Sequence, residues 1–389
     1  MFESLADQPP DALLALIGLH RADPRPTKLD LGVGVYRDET GVTPIMAAVR
    51  EAERILLDTR TTKSYLGPEG DPVFVDLLKP IVFGVDPGPR LLGVQTPGGT
   101  GALRLGAELI AAARPGARVL IGTPTWPNHA PIFTAAGLTL VPHRFFDVAG
   151  QRLDIDALAA ALESAGPGDV VLLHGCCHNP TGGDLDRAAW ARVAALVRAR
   201  GILPFVDLAY QGLGEGLDED AAGVRALFAD LGEGLVAYSC DKNFGLYRDR
   251  VGALFGLAAT PAAAEVMRSN MIALARVNWS MPPDHGAAIV RTVLESATLT
   301  SLWRDELLRM GTRVRAVRAA LAAADPRLAF LTTQHGMFST LPIDPARIAA
   351  LRADHGVYMA GSGRINVAGL QVGDAPAFVA ALAAVGWSV

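Results

Sequence analysis

Lys242 stands in the segment SCDKNFGLYRDRVGALFG, with Ser239 three residues before it and Arg250 eight after. An amine, a hydroxyl and a guanidinium so spaced can join a nucleophile to an anion site, whereas a loop lysine by itself is a solvated charge. Only four of the 35 basic residues are lysine (Lys28, Lys63, Lys79 and Lys242). Arginine is never deprotonated in a protein and cannot act as an amine nucleophile, so a retained lysine is a candidate for a needed amine. TPGGTGALRLGAELI opens a helix behind Pro97, Gly98, Gly99 and Thr100. Glycines there let backbone N–H groups approach a phosphate at a helix N-terminus; a purely structural turn is the alternative, and the Walker lysine is absent. ILPFVDLAYQGLGEG ends an apolar strand on Asp207, with Tyr210 three residues later. A carboxylate at that depth needs a partner, either a protonated ring nitrogen of a bound group or the start of the next helix.

Three further segments bring unusual polar residues. LLHGCCHNPTGG sets His174, Cys176, Cys177, His178 and Asn179 at a strand end. Their crowding, and the lack of a second ligand pair at the usual spacing, argue against zinc and for a turn in which Pro180 and Gly182 aim Asn179 inward. TPTWPNHAPIF supplies Trp126 between prolines, with His129 nearby. Its indole can stack on a planar ring or pack in the core. GSGRINVAGL sets Arg364 on a short strand, suited to bidentate carboxylate binding or to a place on the surface.

The elements that must position these residues are legible as alternation. Short apolar runs at 118–122, 169–175, 202–209, 234–240 and 251–256 alternate with Ala/Leu/Arg-rich segments of helical spacing. That pattern predicts an α/β fold with a parallel or mixed sheet covered on both faces, with ligands at the carboxyl ends of the strands. The helix after HGCCHNPTGG is expected to start at Asp184 and stop at Gly201. At 389 residues the chain fits two domains. A large one is expected over about 45–305, with residues 1–44 and 306–389 combining into a smaller one and the join inside a long helix.

Composition limits the function further. Half of the residues are hydrophobic, yet no apolar run approaches the length that spans a bilayer. A net charge of -5 without a basic block gives no reason to expect nucleic acid. The acidic start lacks a signal peptide's basic leader, and an odd cysteine count with two neighbours points to free thiols, so a cytoplasmic protein is expected.

Taken in order, LGVGVYRDETG, KSYLGPEG, TPGGTGALR, PTWPNH, HGCCHNPTG, DLAYQG, SCDKNFGLYRDRVG, HGMFS and SGRINVAGL resemble the class I aminotransferases of the aspartate and aromatic amino acid family over nearly the whole chain. The resemblance implies fold type I, pyridoxal 5′-phosphate as cofactor, and ping-pong transfer of an amino group from aromatic amino acids or aspartate to 2-oxoglutarate. It implies that Lys242 holds the cofactor as a Schiff base and that Asp207, oriented by His129, pairs with the pyridine nitrogen. Tyr210 and Asn179 would meet the phenolate oxygen and Trp126 would stack on the ring. Gly99, Thr100, Ser239 and Arg250 would hold the phosphate, and Arg364 the substrate α-carboxylate beside Gly34. Members are dimers, so Tyr65 and Arg276 would reach in from the partner subunit, Arg276 toward a side-chain carboxylate. Asp241 departs from the family's serine beside the lysine, and Ser64 and Met281 replace asparagines near Arg276. Strict aspartate transamination, or a lyase or decarboxylase on the same lysine, are the competing expectations. A transcription regulator would need a DNA-binding module, for which about 30 residues before DLGVGVY leave no room.

Overall fold

The computed structural model describes residues 1–7, 12–85 and 88–387. Its strands are β1 (Leu29–Asp30), β2 (Leu91–Pro97), β3 (Arg118–Thr123), β4 (Thr139–Arg144), β5 (Phe146–Asp147), β6 (Arg152–Leu153) and β7 (Val170–His174). They continue with β8 (Leu203–Leu208), β9 (Gly234–Ser239), β10 (Val251–Leu257), β11 (Phe338–Thr340), β12 (Val357–Tyr358) and β13 (Arg364–Asn366). Seven of them form one sheet in the order β2-β10-β9-β8-β7-β3-β4. β10 runs antiparallel to both of its neighbours, while the other pairings are parallel. The five apolar runs read from the sequence are β3, β7, β8, β9 and β10, within a residue or so at each end.

Both faces of the sheet are covered because successive side chains alternate between two cores. Val170, Leu172, Phe205, Leu235, Ala237 and Leu254 face a cluster with the helices Gly98–Ala113 and Pro261–Asn278. Val171, Leu173, Val206, Val236, Tyr238 and Phe255 face the larger cluster on the other side. Close approach at the first face depends on Gly106, where an added Cβ would lie 2.4 Å from the Phe205 ring.

The helix Arg187–Arg200 starts three residues later than its sequence leads one to expect. Asp186 is its cap, accepting the N–H of Ala189 at 2.7 Å, and Gly201 closes it in the left-handed conformation. Asp184 is engaged elsewhere. Its carboxylate accepts the N–H groups of Cys177 and His178, at 2.8 and 3.0 Å, and so fixes the turn after β7.

The two ends of the chain meet. β1 pairs in parallel with β12, and β11 pairs antiparallel with β13. The segment after β1 is strapped down by β13: Asn366 Nδ2 donates to the carbonyls of Val33 and Val35 at 2.6 and 2.7 Å. Between this unit and the large sheet runs the helix Ala297–Ala324, capped by the Ser296 hydroxyl.

Candidate active site

Parallel strands deliver their carboxyl ends to one edge of the sheet, and the reversed strand β10 delivers its amino end to the same edge. In register, His174 lies beside Asp207, Gly252 beside Ser239, and Val251 beside Pro97. One cavity at that edge is lined by Gly99, Thr100, Trp126, Asn179, Asp207, Tyr210, Ser239, Lys242 and Arg250, together with Leu103, His174, Ala209 and Asp241. Nine residues predicted from separate segments, as far apart as positions 99 and 250, are therefore neighbours.

The loop bearing Lys242 is held from behind. Phe244 stacks on Trp303 with ring centroids 4.3 Å apart, and the Trp303 indole donates to the Asn243 carbonyl at 2.7 Å. Asn243 in turn donates to the Tyr238 hydroxyl at 2.9 Å. So fixed, the Lys242 amine lies 5.2 Å from the centre of the Tyr210 ring. Desolvation is the main reason its pKa is lowered, reinforced by the charge of Arg250 and opposed by those of Asp241 and Asp207. A lowered pKa leaves more of the amine unprotonated at neutral pH, and the unprotonated form is the one that acts as nucleophile or base.

Asp207 is buried at the end of β8 and bonded to His129 Nε2 at 3.0 Å. Burial pushes its pKa up, but the hydrogen bond from His129, helped by the nearby Lys242 amine, outweighs this and holds it below the ordinary carboxylate value. Behind His129, Thr125 Oγ1 lies 2.8 Å from His129 Nδ1 and 3.0 Å from His174 Nε2. Burial, then the charge of His129, lowers His174 to about 3, so it is neutral at physiological pH. A consistent set of protons has His174 donating to Thr125, Thr125 to His129 and His129 to Asp207, leaving the carboxylate anionic and oriented. Sequence reasoning does not single out Thr125; its one signal is the four-residue spacing to His129 within a stiff loop.

On the opposite wall Asn179 Nδ2 donates to the Tyr210 hydroxyl at 3.3 Å, while its Oδ1 accepts from Arg364 Nη1 at 3.4 Å. Arg364 is buried, donates from Nη2 to the Gly32 carbonyl at 2.8 Å, and stands 4.6 Å over the Phe338 ring. Phe338 meets Tyr210 edge to face, with centroids 5.8 Å apart. Gly34 closes this side, since a Cβ there would come within 2.9 Å of Phe338 Cζ. Trp126 stands perpendicular to His129, centroids 5.2 Å apart.

At the far end of the cavity Gly99 packs on Ser239, where a Cβ would lie 3.1 Å from that of the serine. Gly98 takes a φ of +68°, which turns the chain from β2 into its helix. Arg250 reaches the same place from the start of β10 and is ion-paired with Asp241. Backbone N–H groups, two hydroxyls and a guanidinium are the kinds of group that could hold an anion here.

Four predicted cofactor or substrate residues are not part of the cavity lining: Arg364 and Gly34 adjoin it through Asn179 and Phe338, whereas Tyr65 and Arg276 are exposed. Tyr65 is 92% exposed. Arg276 is also exposed and donates to the Ser280 hydroxyl. The replaced asparagine positions lie nearby: Met281 Sδ accepts the Leu66 N–H at 3.1 Å, and Ser64 bonds the Thr62 hydroxyl at 2.9 Å. Cys176, Cys177 and Cys240 are buried free thiols. The Cys176 and Cys177 sulfurs and an Asp220 carboxylate oxygen lie within 4.8 Å of one another, and that carboxylate accepts the N–H groups of Gly212, Gly214 and Glu215 at 2.7, 2.9 and 2.8 Å.

A family model described as aminotransferase class I and II matches residues 26–382. The tyrosine aminotransferase of Rhizobium meliloti (strain 1021) is 54% identical over 381 residues, covering 96% of this chain and 97% of that one. The aspartate aminotransferase of Escherichia coli (strain K12) is 43% identical over 380 residues, covering 95% and 96%. Among solved structures, the aromatic-amino-acid aminotransferase of Burkholderia pseudomallei, covalently bound to pyridoxal phosphate, superposes with a TM-score of 0.96 at 38% identity over 99% of both chains.

Proposed function

The chain belongs to the class I and II aminotransferases, enzymes that use pyridoxal 5′-phosphate, and on that premise we propose that it transfers the amino group of aromatic amino acids and of aspartate to 2-oxoglutarate. The observation that carries the reading is the single cavity in which Lys242, the Asp207–His129 pair, the Tyr210–Asn179 pair and the Arg250 anion site converge. This donor set suits the cofactor: an amine of lowered basicity, a buried anionic carboxylate for a protonated ring nitrogen, and phosphate ligands at the far end. When bound, pyridoxal phosphate supplies the electron sink that weakens the Cα–H bond of the amino acid.

The protein's own residues do the rest. Lys242 would be the covalent anchor, and once displaced by substrate its free amine would take the proton from the substrate Cα and deliver it to C4′ of the cofactor. Asp207, backed by His129, Thr125 and His174, holds a proton on the ring nitrogen. Tyr210 and Asn179 share the ring oxygen. Arg364, desolvated and over Phe338, takes the substrate α-carboxylate and thereby aligns Cα with Lys242. The exchange is ping-pong: the first 2-oxo acid leaves before 2-oxoglutarate enters.

We assign residues 45–305 to the large domain and 1–44 with 306–389 to the small one, a division supported by the β1–β12 pairing of the two chain ends. A homodimer is the assembly that suits the exposed Tyr65, Leu57 and Val277, the last two 83% and 85% exposed. Among the described residues no helix is long and apolar enough to cross a membrane, and the three free thiols accord with a cytoplasmic place.

Arg276 is the residue that we propose discriminates between the two substrate classes. A desolvated arginine left without its carboxylate costs on the order of 3–5 kcal/mol, so dual use requires an arginine that can turn away. Its exposure favours that freedom, and the short Ser64 and apolar Met281, which stand in place of asparagines, offer fewer hydrogen bonds to pin it. Steady-state kinetics with 2-oxoglutarate as acceptor test the reading. Aspartate, phenylalanine and tyrosine are all expected to be donors, and Arg276→Ala should lower kcat/KM for aspartate by roughly 10²–10⁴ while phenylalanine changes little. No activity toward the aromatic donors, or equal loss for both classes, would leave a strict aspartate aminotransferase.

A further inference from the structure

Asp241, beside the anchoring lysine, is where this chain departs from the family's serine, and the structure shows where its carboxylate goes. Both of its oxygens are bonded to groups other than the Lys242 amine. One oxygen, Oδ2, accepts from Arg250 Nη1, and the other, Oδ1, accepts the Val251 N–H at 3.0 Å. Its own N–H donates to Ser239 Oγ at 3.2 Å. The side chain is 2% exposed, against 41% for its arginine partner. The pair sits directly at the start of the helix Gly98–Ala113: a Cβ on Gly98 would come within 2.6 Å of Arg250 Nη2 and 2.9 Å of Asp241 Oδ2.

Asp241 is therefore built into the anion site, with its carboxylate on the arginine and its backbone N–H on the serine. Arg250 contributes one positive charge and Asp241 cancels it, leaving the helix start, the hydroxyls and the backbone as the net attraction for an incoming phosphate of about -1.5 to -2. Nη1 of Arg250 is also committed, since it donates both to Asp241 and to the Tyr247 carbonyl at 3.2 Å. Two effects of Asp241 oppose each other. It orients the guanidinium, which favours phosphate binding, and it sets a buried like charge beside the phosphate, which disfavours it. The second is the larger: orientation recovers the entropy of one side chain, whereas a buried charge of the same sign in contact range acts in a medium that screens it poorly.

We propose that Asp241 is a positioning residue that weakens the hold on the cofactor phosphate by occupying Arg250, so that this enzyme exchanges its phosphorylated cofactor with solution more readily than a serine at position 241 would allow. The inference rests on the reading that Arg250 faces the phosphate. It applies most strongly to the amino form of the cofactor, which has no covalent link to Lys242 and is retained by contacts alone.

The test measures binding of pyridoxamine 5′-phosphate and of unphosphorylated pyridoxamine to the apoprotein by calorimetry, in the wild type, Asp241→Ser and Asp241→Asn, with thermal melting as a check on folding. In both variants the phosphorylated ligand should bind about tenfold or more tightly than in the wild type and leave correspondingly more slowly, while pyridoxamine changes by less than about twofold. Unchanged or weaker binding of the phosphorylated ligand in the variants overturns the inference, as does an equal gain for pyridoxamine, which would place the effect at the ring. Arg250→Gln separates this from the underlying reading. If it leaves the preference for the phosphorylated ligand intact, the assignment of Arg250 to the phosphate falls; if it removes that preference while the Asp241 variants do nothing, only the role given to Asp241 falls.

Discussion

The Asp207 carboxylate owes its usefulness to what stands behind it. A buried acid with no partner would rise in pKa and lose its charge, yet the His129 bond holds this one ionised, and Thr125 and His174 hold His129. Its proposed role is to keep a proton on the ring nitrogen during the chemical step, an electrostatic effect exerted on the transition state rather than on binding. Asp207→Ala, assayed at saturating cofactor, should therefore lose turnover by roughly 10²–10⁴ while cofactor affinity changes by less than about tenfold. Full turnover in that variant would show that another group protonates the ring. At this scale the sequence is informative about the residues that touch the cavity, because Asp207, Lys242, Asn179 and Arg364 each sit at a strand end or on a glycine-flanked strand. It says little about those that support them. Thr125 and Trp303 act only through contacts from loops and helices distant in the chain, and the direction of the Asp241 carboxylate is decided by β10, whose first N–H it accepts.

At the scale of elements, the site depends on strands that end level with one another and on helices that lie close enough to the sheet to hold them so. Five strands are legible from their apolar content. β2 is not, because LLGVQTP mixes polar residues into a short strand and carries no alternation; its place is fixed by pairing with β10 from Val251↔Pro97 to Leu257↔Leu91. The start of the helix Arg187–Arg200 is displaced by three residues from its expected place for a similar reason. Asp184 and Asp186 are both capable caps, and only the turn after β7 shows that Asp184 is already engaged. Gly106 is a point of close approach between helix and sheet. Since a Cβ there would meet the Phe205 ring at 2.4 Å, Gly106→Ala must displace either the helix Gly98–Ala113 or β8. Overpacking of this kind costs typically 1–3 kcal/mol, partly offset by the better helix propensity of alanine. Denaturant unfolding should show a loss in that range. Because the glycines that start the helix precede Gly106 by two turns, a displaced β8 would also disturb Asp207, and turnover should fall more than affinity for the cofactor phosphate. A variant as stable as the wild type would show that the helix moves freely on the sheet.

At the scale of the whole molecule, the open question posed by Tyr65 and Arg276 is which subunit's site they serve. Both are exposed, and neither lines the cavity of its own chain. Such residues suit a two-fold dimer in which each chain completes the other's site, since a two-fold interface presents the same residues in both directions. Complementation decides between shared and separate sites. Lys242→Ala homodimers should be inactive, and Arg276→Ala homodimers should be nearly inactive toward aspartate. In a heterodimer of the two, the site built on the Arg276→Ala chain keeps its own Lys242 and, if sites are shared, receives a native Arg276 from the partner. The other site lacks both residues. Equal mixing after reversible dissociation makes half of the dimers mixed, each with one restored site of two, so aspartate transamination should recover to about a quarter of the wild-type value. If Arg276 serves its own chain instead, no site in any dimer holds both residues, and mixing restores nothing. Aspartate must be the donor in this experiment, because phenylalanine does not call on Arg276 and would be turned over by the Arg276→Ala homodimers whichever subunit the arginine serves.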